Sequence, residues 1–189
     1  EDGIRDKLVT GVQTCALPIF FTGFNTQHLW VSRVVASQHA EGRVYVSLNG
    51  YRFDDFGAYL FMSDDYGKTW NAVSGGLPME PINVVREDPT DPDILYVGTD
   101  GGVYVSFDRG KSYMAWRSGL PKAVPVHDIA IQTRDNEIVL GTHGRSLFVA
   151  KLEDVQKLKQ DPDWMKKKPS VKREKSKNRD EEDEREELD

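Results

Sequence analysis

A single cysteine, Cys15, occurs in the 189 residues, so no disulfide framework can hold this chain and its stability must come from burial. The compartment stays open, because large folds hold together without any bridge. The phosphate loop G-x-x-x-x-G-K, the zinc motif H-E-x-x-H, a paired C-x-x-C and the elbow G-x-S-x-G are all missing. Their absence removes the nucleotide, zinc-protease, thiol-redox and serine-hydrolase chemistries that those patterns carry. Positive charge is also in short supply, with 25 Lys and Arg against 31 Asp and Glu and a net charge of -6. From Lys151 onward 12 basic and 13 acidic residues nearly balance, which leaves 13 against 18 in the first 150. The part able to fold is therefore acidic, and no nucleic-acid partner is expected. No apolar run is long enough to read as a membrane segment, and the first twenty residues lack the basic start and long apolar stretch of a signal peptide.

What the sequence does have is a repeat. Ser63, Asp65, Gly67, Thr69 and Trp70 form the pattern S-x-D-x-G-x-T-W, and Ser106, Asp108, Gly110, Ser112 and Tyr113 form a second copy 43 residues later. Gly98-Thr99 and Gly141-Thr142 stand 43 residues apart as well. A period in the forties is the length of one four-stranded propeller blade. In each copy, Ser and Asp can accept hydrogen bonds from the turn's own N–H groups, Gly supplies positive φ, and the aromatic returns on the next strand to pack.

These copies resemble Asp boxes, the hairpin motif of BNR-type β-propellers found in sialidases, sortilin and xyloglucanase-type glycoside hydrolases. The stretch EDPTDPDILYVGT at 87–99 resembles the segment that precedes such a box, and Ser-Gly-Leu-Pro or a near match follows each copy. The resemblance covers residues 30–152 and implies an all-β fold, a partial β-propeller of about three four-stranded antiparallel blades. It also favours a secreted or periplasmic location. Strands are expected at 30–36, 43–47, 58–62 and 69–73, then at 82–86, 94–97, 103–107 and 112–116, then at 126–132, 137–140 and 146–151. The third blade lacks a fourth strand, which in propellers the other terminus commonly supplies.

Three blades do not close a ring, so the chain reads as the C-terminal part of a larger propeller whose remaining blades are its first partners. A domain-swapped or oligomeric ring is the alternative. Residues 1–20 contain GVQTCALPI, which resembles translated junction sequence, and are expected to be a non-native or disordered leader. Residues 21–152 hold the blades. Residues 153–189 form a charged low-complexity tail, expected to be disordered or a solvated helix. Lys166-Lys167-Lys168-Pro169 fits a basic targeting or polyanion patch, but the acidic block at 180–189 would neutralise it.

The connection at 49–57 is eight residues longer than its counterpart in the second blade, and insertions on one face of a repeat array often carry binding. Tyr51, Arg52, Asp54 and Asp55 therefore lead the candidate binding residues, joined by His143 and Arg145 on the matching connection of the third blade. An aromatic beside polar groups suits a sugar or a peptide. The two adjacent carboxylates fit either glycosidase acid and base or plain turn chemistry. Asp88, Asp91 and Asp93 lack the Gly and terminal Glu of a calcium loop, so no metal, cofactor or catalytic set is assigned. Two functions stay open: a binding scaffold for a protein or glycan, and the C-terminal part of a glycoside hydrolase whose carboxylates lie mostly upstream. The Arg-Ile-Pro motif that accompanies sialidase activity is absent.

Overall fold

The computed structural model describes residues 28–117 and 119–160. The expectations for residues 1–20, for Ser118 and for the charged stretch from Asp161 onward lie outside the described residues.

The first sheet contains β1 (Trp30–Ala36), β2 (Val44–Gly50), β3 (Asp55–Ser63) and β4 (Asn71–Ala72). The second contains β5 (Ile82–Glu87), β6 (Leu95–Thr99), β7 (Val103–Ser106) and β8 (Met114–Trp116). The third contains β9 (Val126–Gln132), β10 (Glu137–Thr142) and β11 (Leu147–Lys151), followed by helix α1 (Leu152–Gln160). Each sheet is antiparallel and ordered as the chain runs, with four, four and three strands. The strand β5 lies against both β1 and β9, so the first strands of the three blades are neighbours.

Burial explains why the strands differ in pattern. The middle blade is covered on both faces, and β6 (LYVGT) and β7 (VYVS) are buried at every position. A strand sandwiched in this way needs no polar alternation. Leu95 and Val97 pack with Tyr45, Leu60 and Val85 toward the first blade, while Tyr96 and Val105 pack with Ile129, Ile138 and Phe148 toward the third. A fully buried Leu or Val of this kind contributes about 1.5–3 kcal/mol. In β11, on the outer blade, exposed and covered residues alternate, with Leu147 exposed and Phe148 buried.

The two repeated turns have nearly the same internal bonding. Gly67 N donates to Ser63 Oγ at 2.9 Å, and Gly110 N donates to Ser106 Oγ at 2.8 Å. Asp65 accepts from Lys68 N, Thr69 N and Thr69 Oγ1 at 2.9, 2.8 and 2.6 Å. Asp108 accepts from Lys111 N, Ser112 N and Ser112 Oγ at 3.0, 2.8 and 2.6 Å. Hydrogen bonds from Thr69 hold the Asp65 carboxyl down at about 2. At Asp108 burial pushes upward, but the bonds from Ser112 and Ser106 prevail and the pKa is lowered. The aromatics close each turn differently: Trp70 Nε1 donates to Gly67 O at 3.0 Å, whereas Tyr113 Oη donates to Val73 O at 2.6 Å and so ties the second blade to the first.

Three details differ from the sequence reading. The long connection in the first blade is mostly hairpin, since β2 continues to Gly50 and β3 starts at Asp55, with Gly50 opposite Asp55. The fourth strands are shorter than expected, because Thr69 and Ser112 are held in their turns by the aspartates. The helix after Lys151 is not fully solvated. Leu152, Val155 and Leu158 are buried on one face of α1, Gln156 Nε2 donates to both Asp88 oxygens at 3.0 Å, and Lys159 Nζ donates to Asp91 at 2.7 Å. A charged sequence conceals an apolar stripe at i, i+3 and i+6, and that stripe closes the end of the seam between the second and third blades.

Candidate binding surface

The hairpin of the first blade turns through a single 3-10 turn, Tyr51–Phe53, capped by Asp54 in the left-handed region at φ 56°. Asp tolerates that conformation better than most side chains. Asn49 supports the turn from below by accepting from Tyr51 N at 3.0 Å. The turn folds back on β1: the Tyr51 ring meets Trp30 edge-on with centroids 5.5 Å apart, and the Arg52 guanidinium lies 5.0 Å over the Trp30 ring. The Phe53 ring meets His28 at 6.0 Å. Despite these contacts the tip keeps apolar surface in solvent, with Tyr51, Phe53 and Phe56 exposed by 50%, 64% and 49%.

The two adjacent carboxylates do not act as a pair. Asp55 is half-buried and accepts from His28 Nε2 at 2.7 Å, from Tyr59 Oη at 2.9 Å and from Gly57 N at 3.0 Å. Its pKa is lowered, chiefly by the His28 bond and then by Gly57 N–H. A carboxylate held ionised by three donors is a poor proton donor near neutral pH. Gly57 makes room for this arrangement, since a Cβ there would lie 2.6 Å from Tyr59 Cζ. Asp54 faces solvent instead.

The third blade treats its two candidates differently. Arg145 is exposed, while His143 sits on a loop whose backbone N donates to Pro125 O at 2.9 Å. The His143 ring lies 5.3 Å from that of His127, a residue the sequence reading did not select. Among the described residues, no hydrogen bond, ion pair or ring contact joins this loop to the hairpin of the first blade. Four further polar residues, Glu87, Arg33, Arg86 and Asp128, also escaped the sequence reading. Glu87 is buried and accepts from Ser37 Oγ at 2.7 Å, Gln38 N at 3.0 Å and Tyr45 Oη at 3.1 Å. Arg33 and Arg86 share Asp128 at 2.8 and 3.6 Å, one residue from each of the three first strands. A cleft of ≈ 290 Å³ opens beside them, lined by Val35, Gln38, Arg86, Ala130 and Thr133.

At the Asp88 loop the cations are side chains. Lys159 reaches Asp91 and Asp93 at 2.7 and 3.2 Å, and Arg109 reaches Asp93 at 2.6 Å. Among the described residues no group of three or more His, Cys, Asp or Glu is placed to hold a metal ion, and no helix is long and apolar enough to cross a membrane.

No protein-family model matches the sequence, and no curated protein matches it. Among solved structures the chain is similar to a GH74 enzyme from Niastella koreensis, at 15% identity and a TM-score of 0.53, over 64% of this chain and 20% of that one. It is similar to an ancestral GH74 enzyme at 20% identity and a TM-score of 0.50, over 63% and 16%. A GH74 xyloglucanase from Xanthomonas campestris matches at 21% identity and a TM-score of 0.48, over 63% and 20%. The chain thus spans about a fifth of the length of these structures. At such identities the likeness is one of fold: the chain is a partial β-propeller of three antiparallel blades, the last of them one strand short among the described residues.

Proposed function

We propose that this chain is a ligand-binding module whose contact surface is the hairpin tip of the first blade. The observation that carries this reading is the Tyr51, Phe53 and Phe56 exposure on a turn that Trp30 and Arg52 hold in one shape. Ordered aromatics in solvent offer apolar contact without a large ordering cost, and aromatic and Arg side chains dominate contact energies where binding occurs. Asp54 and Arg52 supply polar groups beside the rings, which suits a glycan or a peptide. The Asp-box reading of the two repeated turns fits a structural role, because their Ser and Asp oxygens are taken up by their own backbone. The outer edge of β11 and the exposed Leu147 suit packing against further blades of a larger ring.

Xyloglucan is the first ligand to try, given the fold shared with GH74 enzymes. Retention of the full chain on immobilised xyloglucan, and its loss in Tyr51→Ala and Phe53→Ala, would support the reading. Equal retention of the variants would remove the hairpin from the site. A second reading, part of a glycoside hydrolase, draws on the same fold likeness. It requires carboxylates other than Asp55, whose oxygens are engaged by His28, Tyr59 and Gly57.

A further inference from the structure

We propose that His127 and His143 form a two-imidazole seat for a divalent transition-metal ion of the Zn²⁺, Ni²⁺ or Cu²⁺ class. The site is independent of the hairpin of the first blade.

The backbone brings the two rings together by an irregularity in the third blade. Strands β9 and β10 pair Asp128 with Gly141 and then Val126 with Thr142, so His127 is the extra residue of a bulge. Bulges re-aim side chains and recur beside functional sites. On the other strand, His143 follows directly after β10, its N–H fixed on Pro125 O at 2.9 Å, and Gly144 at φ 73° turns the chain away. The result is two rings with centroids 5.3 Å apart and planes inclined by 38°.

That separation fits chelation. With metal–nitrogen bonds of about 2.0–2.1 Å and a tetrahedral angle, two imidazole centroids on one ion stand about 5 Å apart. The rings are also available. The sequence has four histidines; His28 is bonded to Asp55 and His39 to Asp88 O. His127 and His143 are exposed and carry no side-chain hydrogen bond among the described residues. The neighbouring carboxylate, Asp128, is engaged by Arg33 and Arg86, so the donor set is imidazole alone. Imidazole suits Zn, Ni and Cu, whereas Mg and Ca require oxygen. Two protein ligands leave the other positions to water or to a donor on a bound molecule, and this makes the site modest in affinity and open to substrate.

Titration of the full chain with Ni²⁺ by calorimetry tests this, with excess Mg²⁺ present to occupy carboxylates. The expected result is one site per chain, lost in His127→Ala and in His143→Ala, with folding followed by circular dichroism. A second measurement needs no variant: the electron paramagnetic resonance spectrum of bound Cu²⁺ should show coupling to two imidazole nitrogens. Absence of a Ni²⁺ site, retention of wild-type affinity in either folded variant, or a Cu²⁺ spectrum without two imidazole nitrogens would overturn the proposal.

Discussion

His28 Nε2 lies 2.7 Å from Asp55 Oδ2, and this contact joins the chain just before β1 to the first residue of β3. It converts the longest connection of the first blade into an ordered hairpin base. Because Asp55 has a lowered pKa, its contribution is full above the ordinary carboxyl value of about 3.9 and is lost as pH falls through the folded value. Asp55→Asn should therefore lower the melting temperature at pH 6, and the difference from wild type should shrink as the pH is taken below about 4. Melting curves of both proteins across that range check the sign.

The repeated turns should follow the same rule. Asp65, with its carboxyl at about 2, stabilises its turn fully above about pH 4 and loses that effect between about 4 and 2. Substituting Asp65 by Asn should flatten the acid side of the stability profile without moving the neutral side upward. A variant whose profile matches wild type would count against the turn as a source of acid sensitivity.

Ser106 is fully buried and accepts from Gly110 N at 2.8 Å. Ser106→Ala leaves that donor unpaired and should cost about 1–3 kcal/mol. Denaturant unfolding provides the value, and retention of any ligand by the folded fraction should be unchanged.

Helix α1 separates apolar from ionic contributions. Leu152 is fully buried in the seam between the second and third blades, and Leu152→Ala should cost about 2–5 kcal/mol. Lys159 pairs with Asp91 and Asp93 while all three remain about a third exposed, so Lys159→Ala should cost only about 0–1 kcal/mol. The ratio of the two losses, measured on the full chain, shows whether the helix is held by burial or by charge.

Much of this fold is legible in the sequence because it repeats. The 43-residue offset places Ser63 and Ser106, and Gly98 and Gly141, in equivalent positions, and the bounds of β1 and β9 are those expected from the sequence. What the repeat does not encode is harder to see. The hairpin tip has no counterpart in the other blades, so Tyr51, Arg52 and Trp30 come together only once β1 and β2 are paired. His127 meets His143 through a bulge, which shifts the register by one residue where two polar residues, His127 and Asp128, follow one another in β9. A helix is one of the two states expected after residue 152, but its docked face escaped because its charges outnumber three buried residues spaced for one narrow face.

In the proposed function the hairpin tip binds and the repeated turns only hold the scaffold. Replacing residues 51–56 by a short Gly-containing turn, and measuring retention of the full chain on xyloglucan with the melting temperature in parallel, tests it most directly. The expected result is that retention disappears while Ser106→Ala, although less stable, is retained when folded. Undiminished retention after the loop replacement would contradict it.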